Sequence, residues 1–322
     1  MNLPVYEYHI EKIHVEKVKG ILQLGQLVEE EENTEKGIHK IFINDVLIRE
    51  IEGSGIVGVG ITEKDVHKKK QQKKIPPDEA GKEIKIKYEA IQRELALHDV
   101  PVFFQMLAVE EKVLETLWEI IQGNEPFQTA VNNIAADVQA TVRKFWTVIA
   151  NTIPKNQLIQ HPYICEHTRK EFEDLVVTLG VVVMLISIFL PGYLDKPDNP
   201  KPSIGELNML ENPEPDQIIK KLQKGYNLDF LPGPVESLTE HSTTLTLLYN
   251  EIIVPLNNQD KDTSFFKAVR GVFDNTNTVN NMVPNLSLTV SQQAYLFTTL
   301  IESLTDIPKK VYIIKLIEDL CS

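Results

Sequence analysis

The chain has 322 residues, 42% of them hydrophobic and 25% charged, a balance that suits a folded globular protein long enough for two modest domains or one large core. Its formal net charge of −13 excludes a general nucleic-acid binder, which needs clustered basic charge. Cys165 and Cys321 are the only cysteines, too few for a disulfide framework, and they fit a reducing cytoplasm.

The N-terminal MNLPVYEYHIEKIHVEK has no basic stretch followed by an apolar run, so no secretory signal is expected. Val15 to Val28 mixes helix and strand signals. Ile41 to Ile51 (IFINDVLIREI) is β-branched with polar interruptions and predicts one strand or a hairpin. Gly53-Ser54-Gly55-Ile56-Val57-Gly58 fits GxGxxG, but a dinucleotide site needs a long amphipathic helix next, and Ile61 to Lys74 supplies no apolar face. Residues 1–74 therefore read as a small β-containing or disordered extension. It ends in His67 to Lys74 (HKKKQQKK), a solvated basic linker rather than a nucleic-acid or membrane contact.

Helical spacing begins at residue 75. Pro76-Pro77 and Asp78-Glu79 place prolines before a helix and acids in its first turn. Ile84, Ile86, Tyr88, Ile91 and Leu95 give one apolar face. After the Val100-Pro101 break, Met106, Leu107, Val113, Leu114, Leu117 and Trp118 give the next. Phe127 to Ile149 and Phe172 to Leu190 continue the pattern. Leu175 to Leu190 is the longest apolar run; its 16 residues fall short of the roughly 20 that span a bilayer, so it reads as a buried core helix. The prolines at 197, 200, 202, 213 and 215 mark an internal boundary. A first helical repeat of 75–195, a linker of 196–216 and a second repeat of 217–322 follow. The halves echo each other weakly: Ile86 to Gln92 against Ile218 to Gln223, Val100-Pro101 against Gly233-Pro234, Leu114 to Glu119 against Leu245 to Asn250, Phe127 against Phe265. The predicted fold class is all-α, two helical repeats packed as a pseudo-dimer with a cavity where they meet.

His161, Cys165 and His167 lie close in sequence, but no fourth ligand accompanies them, and a local surface or helix-start role outweighs a metal. Cys165 has no orienting third group that would make it a nucleophile.

Glu79-Ala80, Tyr88-Glu89-Ala90-Ile91, Val100-Pro101, Leu107-Ala108 and Leu117-Trp118, with Leu288-Thr289 opening a C-terminal helix that ends in IIKLIEDL, fall in an order that resembles the group I 2-haloacid dehalogenases. The resemblance covers roughly residues 75 to 322. It implies an all-helical pseudo-dimer and cofactor-free, metal-free hydrolysis of a small carboxylic acid, with water attacking the halogen-bearing carbon directly. Such chemistry needs a carboxylate to take the proton and a polar group to hold the water. The family's base is an Asp shortly after a Gly-Pro; here that segment reads Gly233-Pro234-Val235-Glu236-Ser237, so the resemblance puts Ser237 at that position with Glu236 beside it. The family's water-holding Asn falls in Asp174 to Val181, which has no Asn; Thr178 is its only hydroxyl. Catalytic Glu236 and Ser237, and substrate-binding Thr178 and Phe104, are the residues so nominated. The expected partner is a small-molecule carboxylic acid, with a homodimer left open, and the setting cytoplasmic. The rival readings are a non-catalytic relative that binds a small apolar acid in the same cavity, and a partner-binding scaffold that uses the N-terminal extension.

Overall fold

A computed structural model describes the strand segments within residues 5–63 and residues 73–149, 161–190, 193–194, 204–259, 261–273 and 287–321. The chain divides into two compact units, Met1–Gln72 with Leu190–Tyr193, and Lys73–Phe189 with Leu194–Ser322.

The first unit holds β1 (Val5–Ile10), β2 (Ile13–Val18), β3 (Ile21–Leu24), β4 (Leu27–Val28), β5 (Ile38–Ile43), β6 (Val46–Ile51), β7 (Ile56–Val59) and β8 (Thr62–Glu63). Each of β1 to β4 pairs in parallel with the strand four places on. Partners stand 33 residues apart in the first two pairs (Val5 opposite Ile38, Ile13 opposite Val46) and 35 in the last two (Ile21 opposite Ile56, Leu27 opposite Thr62). The one strand or hairpin expected over Ile41 to Ile51 is therefore corrected. β5 and β6 do not pair with each other, and the Asn44-Asp45 between them lacks the glycine that a tight hairpin turn favours. Each takes instead a partner of equal length one coil earlier. Residues 56–58 of the GxGxxG segment lie in β7, where a dinucleotide site would need a helix; Gly53 to Gly55 lie outside the described residues.

In the second unit all regular structure among the described residues is helical: α1 (Lys82–Leu95), α2 (Val102–Leu107), α3 (Glu111–Ile121), α4 (Glu125–Ile149), α5 (Pro162–Phe189), α6 (Pro215–Tyr226), α7 (Gly233–Ser237), α8 (Ser242–Leu247), α9 (Val254–Asn257), α10 (Lys261–Phe273) and α11 (Val290–Leu320). The expected start of α1 at Asp78 is displaced. Glu79 N–H donates to Pro76 O at 3.1 Å and closes a turn there, so the helix begins after Gly81. Of its expected face, Tyr88, Ile91 and Leu95 are buried and Ile86 is 57% exposed, off the 88–91–95 stripe. Between α8 and α9 the helix widens to π over Leu248–Ile253; Pro255 has no N–H to return to the Glu251 carbonyl.

α5 and α11 lie side by side and antiparallel at the centre. Cys165 near the start of α5 is disulfide-bonded to Cys321 at the end of α11, Cα to Cα 5.5 Å, while Phe189 meets Phe297 at the other end, centroids 6.4 Å apart. The two cysteines thus form one bridge, which their number alone did not suggest. From Leu175 to Ile188 almost every side chain of α5 is buried, so the long apolar run forms the core. α4 packs on α5 through Gly180, where a Cβ would sit 2.8 Å from the Val131 carbonyl oxygen. Trp146 of α4, Phe265 and Phe266 of α10 and Tyr312 of α11 form a buried aromatic knot of edge-on contacts.

Two turns in this unit share their backbone. α1 ends in left-handed Ala96 (φ 53°), Leu97 N–H donates to Gln92 O, and the Gln92 amide donates to His98 O at 3.1 Å. α6 ends in left-handed Asn227 (φ 51°), Leu228 N–H donates to Gln223 O, and the Gln223 amide donates to Asp229 O at 3.2 Å. Pro101 (φ −59°, ψ 149°) and Pro232 (φ −59°, ψ 144°) then open α2 and α7. Pro101 and Pro232 thus stand at the same place in the two turns, 131 residues apart.

Candidate functional site

Along the first half of α5, His167, Glu171, Asp174 and Thr178 are spaced four, three and four residues apart, which puts them on one stripe. That stripe faces both recurring turns. Asp174, 6% exposed, accepts from His98 N–H and Asp99 N–H at 2.9 Å each and stands 3.0 Å from His98 Nδ1. It pins the turn ahead of α2. Glu171 accepts from Gly233 N–H at 3.0 and 3.3 Å and so pins the turn into α7.

Glu171 has fewer donors. Although its side chain keeps a narrow opening, 23% exposed, the surrounding protein pushes its pKa up to about 7. Burial is the main cause; Lys310 and the Gly233 N–H pull the other way, and Glu236 and Asp174 add repulsion. Lys310 on α11, 8% exposed, is held below the usual lysine range by burial, with Lys74 adding to the effect and Asp306, Glu171 and Glu236 opposing it. Next to it Lys309 is fully buried, its ammonium 3.3 Å from Asp306. His167 Nε2 lies 3.7 Å from Glu171, and its Nδ1 is buried without a hydrogen-bond partner. The approach of α7 depends on a glycine: a Cβ on Gly233 would sit 2.8 Å from His167 Cε1 and 3.1 Å from Glu171 Oε2.

A carboxyl group with a pKa about 7, in electrostatic reach of a buried ammonium, can take or give a proton near neutrality. The ammonium can neutralise a substrate carboxylate. Among the described residues no group of three or more His, Cys, Asp or Glu could hold a metal ion, and Cys165 is committed to its bridge.

The structure scatters the residues nominated from sequence. Glu236 lies exposed on α7, yet its charge is felt by both Glu171 and Lys310, so it belongs to the rim of this cluster. The Ser237 hydroxyl donates to Gly233 O at 3.1 Å, within its own helix. Thr178 is buried, and its hydroxyl donates to Asp174 O at 2.6 Å, about 10 Å up α5 from Glu171. Phe104 is fully buried edge-on to Phe103, centroids 5.0 Å apart. Sequence reasoning missed Glu171, Asp174 and Lys310. The signals within reach were the polar stripe on an apolar helix and the Lys309-Lys310 pair inside the apolar end of α11.

No protein-family model, curated protein or solved structure matches the chain.

Proposed function

We propose that the helical unit is a cofactor-independent hydrolase of the 2-haloacid dehalogenase kind, acting on a small carboxylic acid. Glu171 takes the proton of a water whose oxygen attacks the halogen-bearing carbon; the carbon–halogen bond breaks and halide leaves. Lys310 neutralises the substrate carboxylate, and Glu236 sits at the rim. The observation that carries this reading is the junction of α5, α7 and α11, where a carboxyl group poised near neutrality lies in electrostatic reach of the buried Lys310 beside the Gly233-Pro234 segment. In the same reading the two halves are an internal duplication packed as a pseudo-dimer, with residues 1–74 an appended module. The turns recurring 131 residues apart, Gln92 and Gln223 at their heads, and the antiparallel α5–α11 pair support it.

One observation favours binding without turnover: the only hydroxyl in the water-holding segment, Thr178, is spent on the Asp174 carbonyl. The experiment is halide release from the full chain with both enantiomers of 2-chloropropionate and with bromoacetate. Glu171→Gln is expected to lower the rate by about 100-fold or more, and Glu236→Gln by much less. Equal loss in the two variants would move the base to the rim. No release from folded wild type would leave an acid-binding protein.

A further inference from the structure

Coil one (β1–β4) and coil two (β5–β8) pair strand for strand, and among the described residues no third strand joins any sheet. Each of the eight strands therefore has one backbone edge without a ladder partner among those residues. Two-stranded parallel sheets are marginal alone, and parallel sheets occur almost only as larger, covered assemblies. Proteins that keep a free edge usually blunt it with proline or a row of charges. Here none of the strands contains proline, and β3 (ILQL) and β7 (IVGV) contain no charge.

The register says what fits the open edge. Glu7 stands opposite Lys40, and Lys17 opposite Glu50. Coil one thus carries acid then base, and coil two base then acid, at matching positions. Opposite charges directly across a ladder stabilise it, and like charges destabilise it. We infer that the outer edge of coil two receives coil one of a second copy of this chain. The strands add in parallel with the same register, so that Lys40 meets the second copy's Glu7 and Glu50 its Lys17. The contact repeats the one already made inside the chain. It is head-to-tail, and such contacts build rings or open chains rather than closed two-fold dimers. A two-fold stack of coil two on coil two would lose this matching.

The test is sedimentation of the full chain over a concentration series, with a fourfold variant E7K/K40E/K17E/E50K. The variant keeps opposite charges within the chain and between its own copies, but sets like charges against wild type. Wild type and variant are each expected to gain mass with concentration, to two copies and beyond, while tagged wild type fails to co-sediment with the variant. Free mixing of the two, or a wild type that stays a single copy throughout, overturns the inference. Should the fourfold variant not fold, Leu22→Pro and Gln23→Pro replace it. Successive N–H groups of a strand point to opposite sides, so only one of the two removes a donor from the outer edge. One variant is expected to lose assembly while keeping its circular dichroism. Retained assembly in both, or its loss only together with the coil, counts against the surface.

Discussion

Asp174 and Glu171 lie one turn apart on α5 and play the same mechanical part, each holding the backbone of a proline turn that opens a short helix. Asp174 spends both oxygens on two N–H groups at 2.9 Å and adds a histidine nitrogen at 3.0 Å. Glu171 receives a single N–H, shared between its oxygens, and burial outweighs the lysine and the donor that would hold it ionised. Asp174, tied to two backbone N–H groups and a histidine ring, serves the turn. An acid in similar surroundings with spare capacity keeps its proton until about neutral pH and is free for chemistry. Burial is what lifts Glu171, and the single shared donor at its turn offsets that too little.

The widest separation between the two acids should appear on truncation. Asp174→Ala removes the acceptor for two part-buried backbone donors, and charge-assisted hydrogen bonds of this kind are worth about 1.5–3 kcal/mol each before relaxation. We expect a loss of about 3 kcal/mol in urea unfolding of the full chain. A loss below about 1 kcal/mol would mean water replaces the carboxylate and would dissolve the contrast.

Glu171 should show itself by pH. Its folded pKa, about 7, exceeds its ordinary value of 4.5, so the folded state binds the proton more tightly. The stabilisation is complete below pH 4.5 and is lost as pH rises through about 7, so stability falls across that window. The fall attributable to this group is at most about 3 kcal/mol, at roughly 1.36 kcal/mol per pKa unit. His167 and Asp174 on α5, Glu236 on α7 and Lys310 on α11 face the same carboxyl group, so the measurement is a difference: wild type minus Glu171→Gln, from about pH 4 to about pH 8. A difference that stays flat would return Glu171 to an ordinary surface acid.

Much of the helical unit was legible in sequence. The apolar spacing marked α4 from Phe127 onward, and Leu288-Thr289 marked the start of α11, where Thr289 and Gln292 form a capping box. The site was less legible. Glu171 and Lys310 lie 139 residues apart, and only the antiparallel packing of α5 on α11 brings their charges together. Periodicity reports which face of a helix is apolar, not which neighbour that face meets. Attention went to Glu236 because the Gly233-Pro234 segment is a visible local motif. The structure uses that segment instead to present a backbone N–H to an acid on another helix. The strand unit stayed ambiguous for a related reason, since its pairing is between residues 33 or 35 apart and no local turn announces it.

Gly233 tests whether the second turn needs close approach where the first does not, Val102 standing at the matching start of α2. In Gly233→Ala the new Cβ displaces the His167 ring and the Glu171 carboxylate, both at the ends of side chains that can swing aside. The expected cost is about 1–2 kcal/mol, in the range for overpacking. Lengthening the N–H bond to Glu171 removes an influence that lowers its pKa, so the pH midpoint of the difference curve should move up. A stability loss with an unmoved midpoint would show that the glycine serves packing alone.

The smallest effect sharpens the comparison of the turns themselves. Ala96 and Asn227 both adopt the left-handed conformation, at φ 53° and 51°. Asparagine visits that region readily; in alanine the crowding of Cβ costs roughly 1 kcal/mol. Ala96→Gly removes the crowding but gives the unfolded chain more freedom, which offsets about half of the gain. A net stabilisation of about 0.5 kcal/mol is expected, with little or none for Asn227→Gly. Thermal unfolding of the two variants beside wild type reads this directly. If Ala96→Gly instead loses stability, the alanine methyl makes a contact worth more than the strain, and the two turns differ in packing as well as in the acids that hold them.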